Sequence, residues 1–358
     1  MNTLCKRLAA LSLSTSMAAA LAGCGGSSTT SAGSAADTSE SSSETVSITV
    51  GYQTPCAQTW GALIMEQKNF LKEELESEFQ GVNFEISWED YTSGPPMTNN
   101  MIAGKLQFAF MGDLPILVNG EKGEKEQNYD SVFLALDGKG DNGANQALFI
   151  PADSPVTSVE ELAGKEVGVV LGSSAHRMLE LILEQHGLLD DVTLVNQDVS
   201  VGLTNIEQNK VAAYAAWEPY PTLAETNGAG KILVDGSETG VDYLDGVVAD
   251  RTWVEENTEY TVAFLRALEK AHQFIAENPD EAARVFAEAT GYDLEVTKVM
   301  VENITFESVF TDEDIKTIQG DLDFAISVGN VSSLDLNHFI DDSYLKEAYS
   351  DLGIEYPD

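Results

Sequence analysis

From Val46 onward the chain alternates short runs of β-branched and aromatic residues with stretches whose apolar side chains recur at helical spacing. This alternation limits the fold most, because strands separated by helix-length segments pair in parallel while the helices cover the sheet. Strands are predicted at 46–52, 82–88, 106–110, 132–136 and 146–150, then at 166–170, 192–195, 212–217, 231–234 and 246–249. Helices are predicted between them. One carries Leu63, Ile64, Phe70, Leu71 and Leu75; one opens at Ser93-Gly94-Pro95-Pro96 and closes at Gly104; others run over 173–186 and near 201–209. An almost wholly helical tail follows, with Phe264, Leu265, Leu268, Ala271, Phe274 and Ile275 on one stripe. The expected fold class is α/β in two lobes, 46–138 plus 246–358 and 139–245. The chain would cross between them near 138–147 and 243–250.

The segment before Val46 is of another kind. Lys6 and Arg7 precede an Ala/Leu/Ser-rich stretch, Leu8 to Leu21, that is too short to span a bilayer, which is the pattern of a removable leader over 1–23. Leu21-Ala22-Gly23-Cys24 resembles the lipobox of bacterial lipoproteins, which implies cleavage before Cys24 and lipid on its sulfur. An ordinary secretory leader with Cys24 as a bystander is the alternative. Residues 25–44 are mostly Ser, Thr, Gly and Ala, which cannot bury enough apolar surface to offset ordering, so 24–45 reads as a tether.

Charge and cysteine content exclude several classes. With 59 Asp and Glu against 19 Lys and Arg, net −40, the chain would repel nucleic acid and anionic lipid. Membrane attachment would then be covalent or through another protein. Beyond the leader and Cys24, Cys56 has no partner, so no disulfide framework is expected, and no Cys/His cluster has metal-ligand spacing. No cofactor is expected either. Gly138 to Gly143 match G-x-G-x-x-G, but a strand-like stretch and Pro151 follow where a pyrophosphate site needs a helix start. The four histidines include His186, His272 and His338, which read as surface residues, and no nucleophile or acid–base motif of a known enzyme class appears.

The ends of the predicted strands hold the candidate site. Gly172-Ser173-Ser174-Ala175-His176 lies between a strand and a helix, and Ser93 with Gly94 opens another helix. Small hydroxyl residues there either cap their own helix or leave N–H groups free for an anion. Trp217 and Glu218 end a strand, where the indole is either core or a wall against a ligand. Asp113, after Gly112, either caps the next helix or accepts a cationic group. Cys56, in Gln53-Thr54-Pro55-Cys56, is either an inert small hydrophobe or a thiol facing the site.

Four stretches in order resemble the extracytoplasmic solute-binding proteins of ABC importers for aliphatic sulfonates, taurine and nitrate, relatives of those for thiamine pyrimidine precursors. They are Val50-Gly51-Tyr52-Gln53; Ser93 to Gly104 with Phe108, Gly112 and Asp113; Ser158 to Val167; and Ala216 to Tyr220. The resemblance covers roughly residues 46–250, and Pro55-Cys56-Ala57-Gln58 departs from it. It implies a two-lobed type II periplasmic-binding fold, with Gln53, Ser93, Gly94, Gly112, Asp113, Ser173, Ser174, Trp217 and Glu218 contacting a small anionic or zwitterionic ligand. Asp113 and Glu218 would suit an ammonium or amino group. It further implies a non-enzymatic monomer, lipid-anchored at the outer face of the cytoplasmic membrane, that serves a permease and an ATPase. The rivals are a binder of a thiamine pyrimidine precursor and an enzyme of the same fold, for which His176 beside Cys56 is the one pairing the sequence offers.

Overall fold

The computed structural model describes residues 45–357. The leader, Cys24 and the tether fall outside these residues.

Strand β1 (Thr45–Tyr52) leads to helices α1 (Gly61–Gln67) and α2 (Phe70–Glu78), then β2 (Asn83–Asp90), α3 (Gly94–Ile102), β3 (Phe108–Gly112), α4 (Asp113–Lys125) and β4 (Ser131–Gly140). The second set is β5 (Gln146–Pro151), β6 (Glu166–Val169), α5 (Ser174–Gln185), β7 (Thr193–Asn196), α6 (Val199–Glu207), β8 (Ala213–Trp217), α7 (Tyr220–Thr226) and β9 (Gly230–Asp235). Next come β10 (Tyr243–Asp250), α8 (Arg251–Glu256), α9 (Thr258–Glu277), α10 (Pro279–Thr290), α11 (Leu294–Asn303), β11 (Thr305–Phe306) and α12 (Asp312–Ser327), followed by α13 (Leu336–Phe339) and α14 (Ser343–Leu352).

Two sheets result, ordered β11-β4-β10-β3-β1-β2 and β7-β6-β8-β5-β9. Within them β1 is parallel to β2 and β3, and β6 is parallel to β7 and β8, whereas β10 and β5 run antiparallel to their neighbours. Tyr243 pairs with Gly140, so β10 belongs to the first sheet over its whole length. The second passage between sheets therefore precedes the 243–250 stretch that the sequence suggested for it.

Other departures are local and have local causes. The predicted single helix over 63–75 is two, because Asn69 takes a left-handed conformation (φ 58°) between α1 and α2, which asparagine tolerates. The strand predicted at 106–110 starts at Phe108, since Gln107 spends its side-chain oxygen on the Thr49 N–H (2.7 Å). The tail is interrupted by β11, which pairs with β4. His272 is no surface residue: it is buried on α9 with Nε2 2.7 Å from the Asp137 carboxylate, inside the first core.

The apolar stripe of α9 is what fastens the tail to the first sheet. Phe264 stacks on Phe108 with centroids 3.9 Å apart, and Leu265, Leu268, Ala271 and Ile275 are buried beside it. Each of the larger side chains removed from water contributes roughly 1.5–3 kcal/mol before the entropy of ordering is subtracted. The second sheet has a core of its own, from Leu148, Val167, Leu179, Ile182 and Tyr214.

The loop after β1 is seated by a glycine. A Cβ on Gly138 of β4 would lie 2.4 Å from the Gln58 carbonyl oxygen and 2.6 Å from the Gln58 Cα, which are backbone atoms that cannot rotate away. Gly138→Ala is expected to cost roughly 1–3 kcal/mol of stability by chemical denaturation and to lift the loop carrying Gln53 and Cys56. A variant as stable as the parent would show that this loop is not held by close packing on β4.

Candidate ligand-binding site

The carboxyl ends of β1, β3, β6 and β8 face one cavity of about 150 Å³. That volume holds a molecule about the size of benzene. Ligands of open α/β sheets collect at this edge because the helices that follow the strands begin there with unpaired N–H groups.

From the first sheet come Gln53, Cys56, Ser93, Gly94 and Gly112, and from the second Ser173, Ser174 and Trp217. These eight of the sequence-predicted residues are brought together. Ser93 precedes α3 in extended conformation, and its hydroxyl makes no capping bond. Pro95 and Pro96 follow, and having no N–H they need none. The Ser93 hydroxyl and the Gly94 N–H are left for the cavity. Gly94 is required at this place, since a Cβ there would lie 2.4 Å from the Pro115 Cβ. At α5, Gly172 turns the chain with φ +82° and Ser173 caps the helix, accepting from the His176 N–H at 3.3 Å and donating to the Val170 carbonyl at 2.7 Å. Trp217 forms a wall pinned by its Nε1–H, which donates to the Pro55 carbonyl at 2.9 Å.

Four predicted residues do not line the cavity. Thr54 turns outward, donating through its N–H and hydroxyl to the Asp90 carboxylate (2.9 and 2.8 Å). Asp113 is buried behind Gly112, where it accepts the Ser174 hydroxyl and the Leu114 N–H (2.6 Å). Burial pushes its carboxyl up, against the pull of Ser174 and of Arg177. Glu218 caps α7 through Thr222, whose hydroxyl donates at 2.9 Å and whose N–H donates at 3.2 Å, and burial raises its carboxyl to about 7. Neither acid is positioned to receive an ammonium. His176 faces Glu180 (3.1 Å) and the ring of Phe324 rather than Cys56, so the one acid–base pairing suggested by the sequence does not form.

Sequence reasoning missed the apolar half of the cavity. Pro95, Pro115, Val118, Val170 and Leu171 line it, together with Thr98 and Tyr243. Pro95 sat in the stretch already singled out for Ser93 and Gly94, and its apolar character was the signal available. Tyr243 gave none, because its place follows from the pairing of β10 with β4. No charged side chain among the described residues lines the cavity.

The two halves touch around it. Besides the Trp217 bond, the Ala57 N–H donates to the Glu218 carbonyl at 3.0 Å, and Ser174 on α5 meets Asp113 on α4. On the outer side, Arg177 of α5 pairs with the fully buried Asp321 of α12, and α12 itself packs on α4.

A sequence profile of the family described as NMT1/THI5 like matches residues 142–282. The chain is 27% identical to a putative aliphatic sulfonates-binding protein of Bacillus subtilis over 290 residues, 80% of this chain and 84% of that one. Among solved structures it is similar to the alkanesulfonate-binding protein SsuA from Xanthomonas axonopodis pv. citri bound to MOPS, at 18% identity and TM-score 0.70, covering 83% of this chain and 98% of that one. It is also similar to the desulfurization enzyme DSZB, at 14% identity and TM-score 0.65, covering 86% and 99%. The fold is thus that of the type II periplasmic binding proteins, in two α/β lobes with a mostly helical tail. In sequence the chain resembles the aliphatic sulfonate-binding branch.

Proposed function

We propose that this chain is the extracytoplasmic solute-binding component of an ABC importer and that it captures a short aliphatic sulfonate between its lobes. The observation that carries the reading is a cavity with hydroxyls and helix starts at one side, apolar walls at the other, and no charged lining. A sulfonate oxygen accepts from the Gly94 N–H, the Ser93 hydroxyl and the first-turn N–H groups of α5, and its hydrocarbon tail lies against Val118, Val170, Leu171 and Trp217. The net charge of −40 does not prevent this, since exposed charges are screened beyond about 8 Å at physiological salt.

The same lining argues against a zwitterion. An ammonium would need a carboxylate, and Asp113 and Glu218 both lie behind the surface, turned to Ser174 and Thr222, with burial raising both carboxyls. Nitrate would leave the apolar walls unused. The enzyme of the same fold is the weaker reading, because Cys56 has no histidine within reach to act as its base. Ligand contacts to both halves favour the joined arrangement by their differential affinity, and that arrangement is what a permease would recognise. Lipid on Cys24 and a monomeric state complete the proposal; mass spectrometry of the mature amino terminus tests the anchor.

Thermal unfolding tests the ligand class. Butanesulfonate at one hundred times its Kd is expected to add about 2.7 kcal/mol and to raise Tm by about 4 °C, with taurine giving a smaller rise at equal concentration. A flat response to every alkanesulfonate would remove the sulfonate assignment. A larger response to taurine would restore an acidic partner in the site.

A further inference from the structure

Beneath the cavity lies a group that the proposed function does not use. Asp245 on β10 is fully buried, and its Oδ2 accepts the Cys56 thiol hydrogen at 2.9 Å. The Cys56 sulfur is also 3.4 Å from the Tyr243 hydroxyl, and both Cys56 and Tyr243 line the cavity. The other carboxyl oxygen, Oδ1, has no partner. It points toward Gly112: a Cβ there would lie 3.1 Å from Asp245 Oδ1, 3.3 Å from Ser174 Oγ and 3.8 Å from the Tyr243 hydroxyl. Glycine thus leaves a gap rimmed by three polar oxygens, opening on a residue that itself lines the cavity.

We propose that Asp245 is a positioning residue that couples capture of an anion to uptake of one proton from solvent. This rests on the reading of the cavity as an anion site. In the ionised form the carboxylate would face the incoming negative charge through Gly112 with no cation paired to it. With a proton on Oδ1 the carboxyl is neutral, Oδ2 still orients Cys56, and the Tyr243 hydroxyl is free to donate to the ligand. The groups facing Asp245 from the packed elements pull in two directions. Asp113 on α4 and Asp137 on β4 are both acids that disfavour its ionisation, while Cys56 and Tyr243 hydrogen-bond to it and oppose them. Burial is the largest influence and raises its carboxyl well above the ordinary range. His272 pairs with Asp137 and Arg177 with Asp321, so neither side chain is spent on Asp245.

The sign follows from linkage. An anion over the floor favours the protonated carboxyl, so affinity is highest at low pH and falls as pH rises through the titration of Asp245, by up to about tenfold per pH unit. Calorimetry with butanesulfonate between about pH 5 and about pH 9, in buffers of different ionisation enthalpy, reads both the affinity and the protons taken up. The expected result in the wild-type protein is no uptake where the free carboxyl is already protonated and uptake rising toward one proton at higher pH, where the free carboxyl ionises; Asp245→Asn is expected to give a flat pH profile with no uptake. A role confined to packing would lower affinity or stability in that variant and leave the slope unchanged. Binding without proton uptake at any pH across the range, or an Asn variant with the parental slope, overturns the coupling alone. Absence of binding at every pH overturns the anion-site reading and the coupling with it. The wild-type measurement decides the matter even if the variant does not fold.

Discussion

At about pH 8, Glu218→Gln is expected to be about 3 kcal/mol more stable than the wild-type protein, and equal to it in acid. The Glu218 carboxyl is raised from 4.5 to about 7 in the folded chain, first by burial and against the pull of Thr222. Below pH 4.5 it is protonated whether the chain is folded or not, and its stabilising contribution is complete. Between 4.5 and about 7 the unfolded chain releases this proton while the folded chain keeps it, so stability drops as pH rises. Glutamine has the shape of the protonated acid and nothing to release, and the Thr222 hydroxyl can turn to accept from its amide. Urea titrations of both proteins across this range give the difference directly. A constant difference would mean that Glu218 keeps an ordinary pKa and is wetter than its burial indicates. Because the Glu218 carbonyl also receives the Ala57 N–H from the other half, the variant is expected to bind ligand at acid pH as the parent does.

Arg177→Met is expected to lose roughly 3–5 kcal/mol of stability at neutral pH, the usual result of leaving a buried charge without its partner. Asp321 is wholly buried on α12, and Arg177 reaches it from α5 with little of its side chain exposed. Space for the guanidinium comes from Gly320, where a Cβ would lie 2.8 Å from Arg177 Nη2. The pair joins the tail, which packs on the first lobe through α4, to the second lobe beside the cavity. Affinity should therefore fall along with stability. Adding Asp321→Asn should recover much of the lost stability, since it removes the stranded charge, while the loss of affinity should persist because the link between α5 and α12 remains broken. A single variant within about 1 kcal/mol of the parent would show that Asp321 takes a proton once Arg177 is gone, the form its burial favours, so that no charge is stranded.

How much of this was legible in the sequence differs from one residue to another. The serines and glycines at 93–94, 112 and 173–174 were readable because their chemistry is local: a helix start needs a small hydroxyl or a glycine, whatever surrounds it. The roles of the acids were not. Asp113 and Glu218 stand beside cavity-lining residues in the chain, and only their side-chain directions, toward Ser174 and Thr222, separate them from the ligand space. His272 looked like a surface residue because a histidine on a helix with mixed neighbours gives no sign that Asp137 lies across from it. Asn69 broke a helix whose apolar spacing ran on undisturbed, since periodicity records which face is buried and is blind to a single left-handed residue.

The sequence by itself determined the α/β class, nearly every strand and the edge at which a ligand would be met, because periodicity and helix-start chemistry act over a few residues. Tertiary structure alone decided that the cavity is lined without charge, that Tyr243 enters it and that Asp245 lies beneath it with one free oxygen. Those facts depend on β10 returning antiparallel beside β3 and β4 from more than a hundred residues downstream. A side chain's direction, and with it the ionisation of a buried acid, is set by neighbours that no local pattern records.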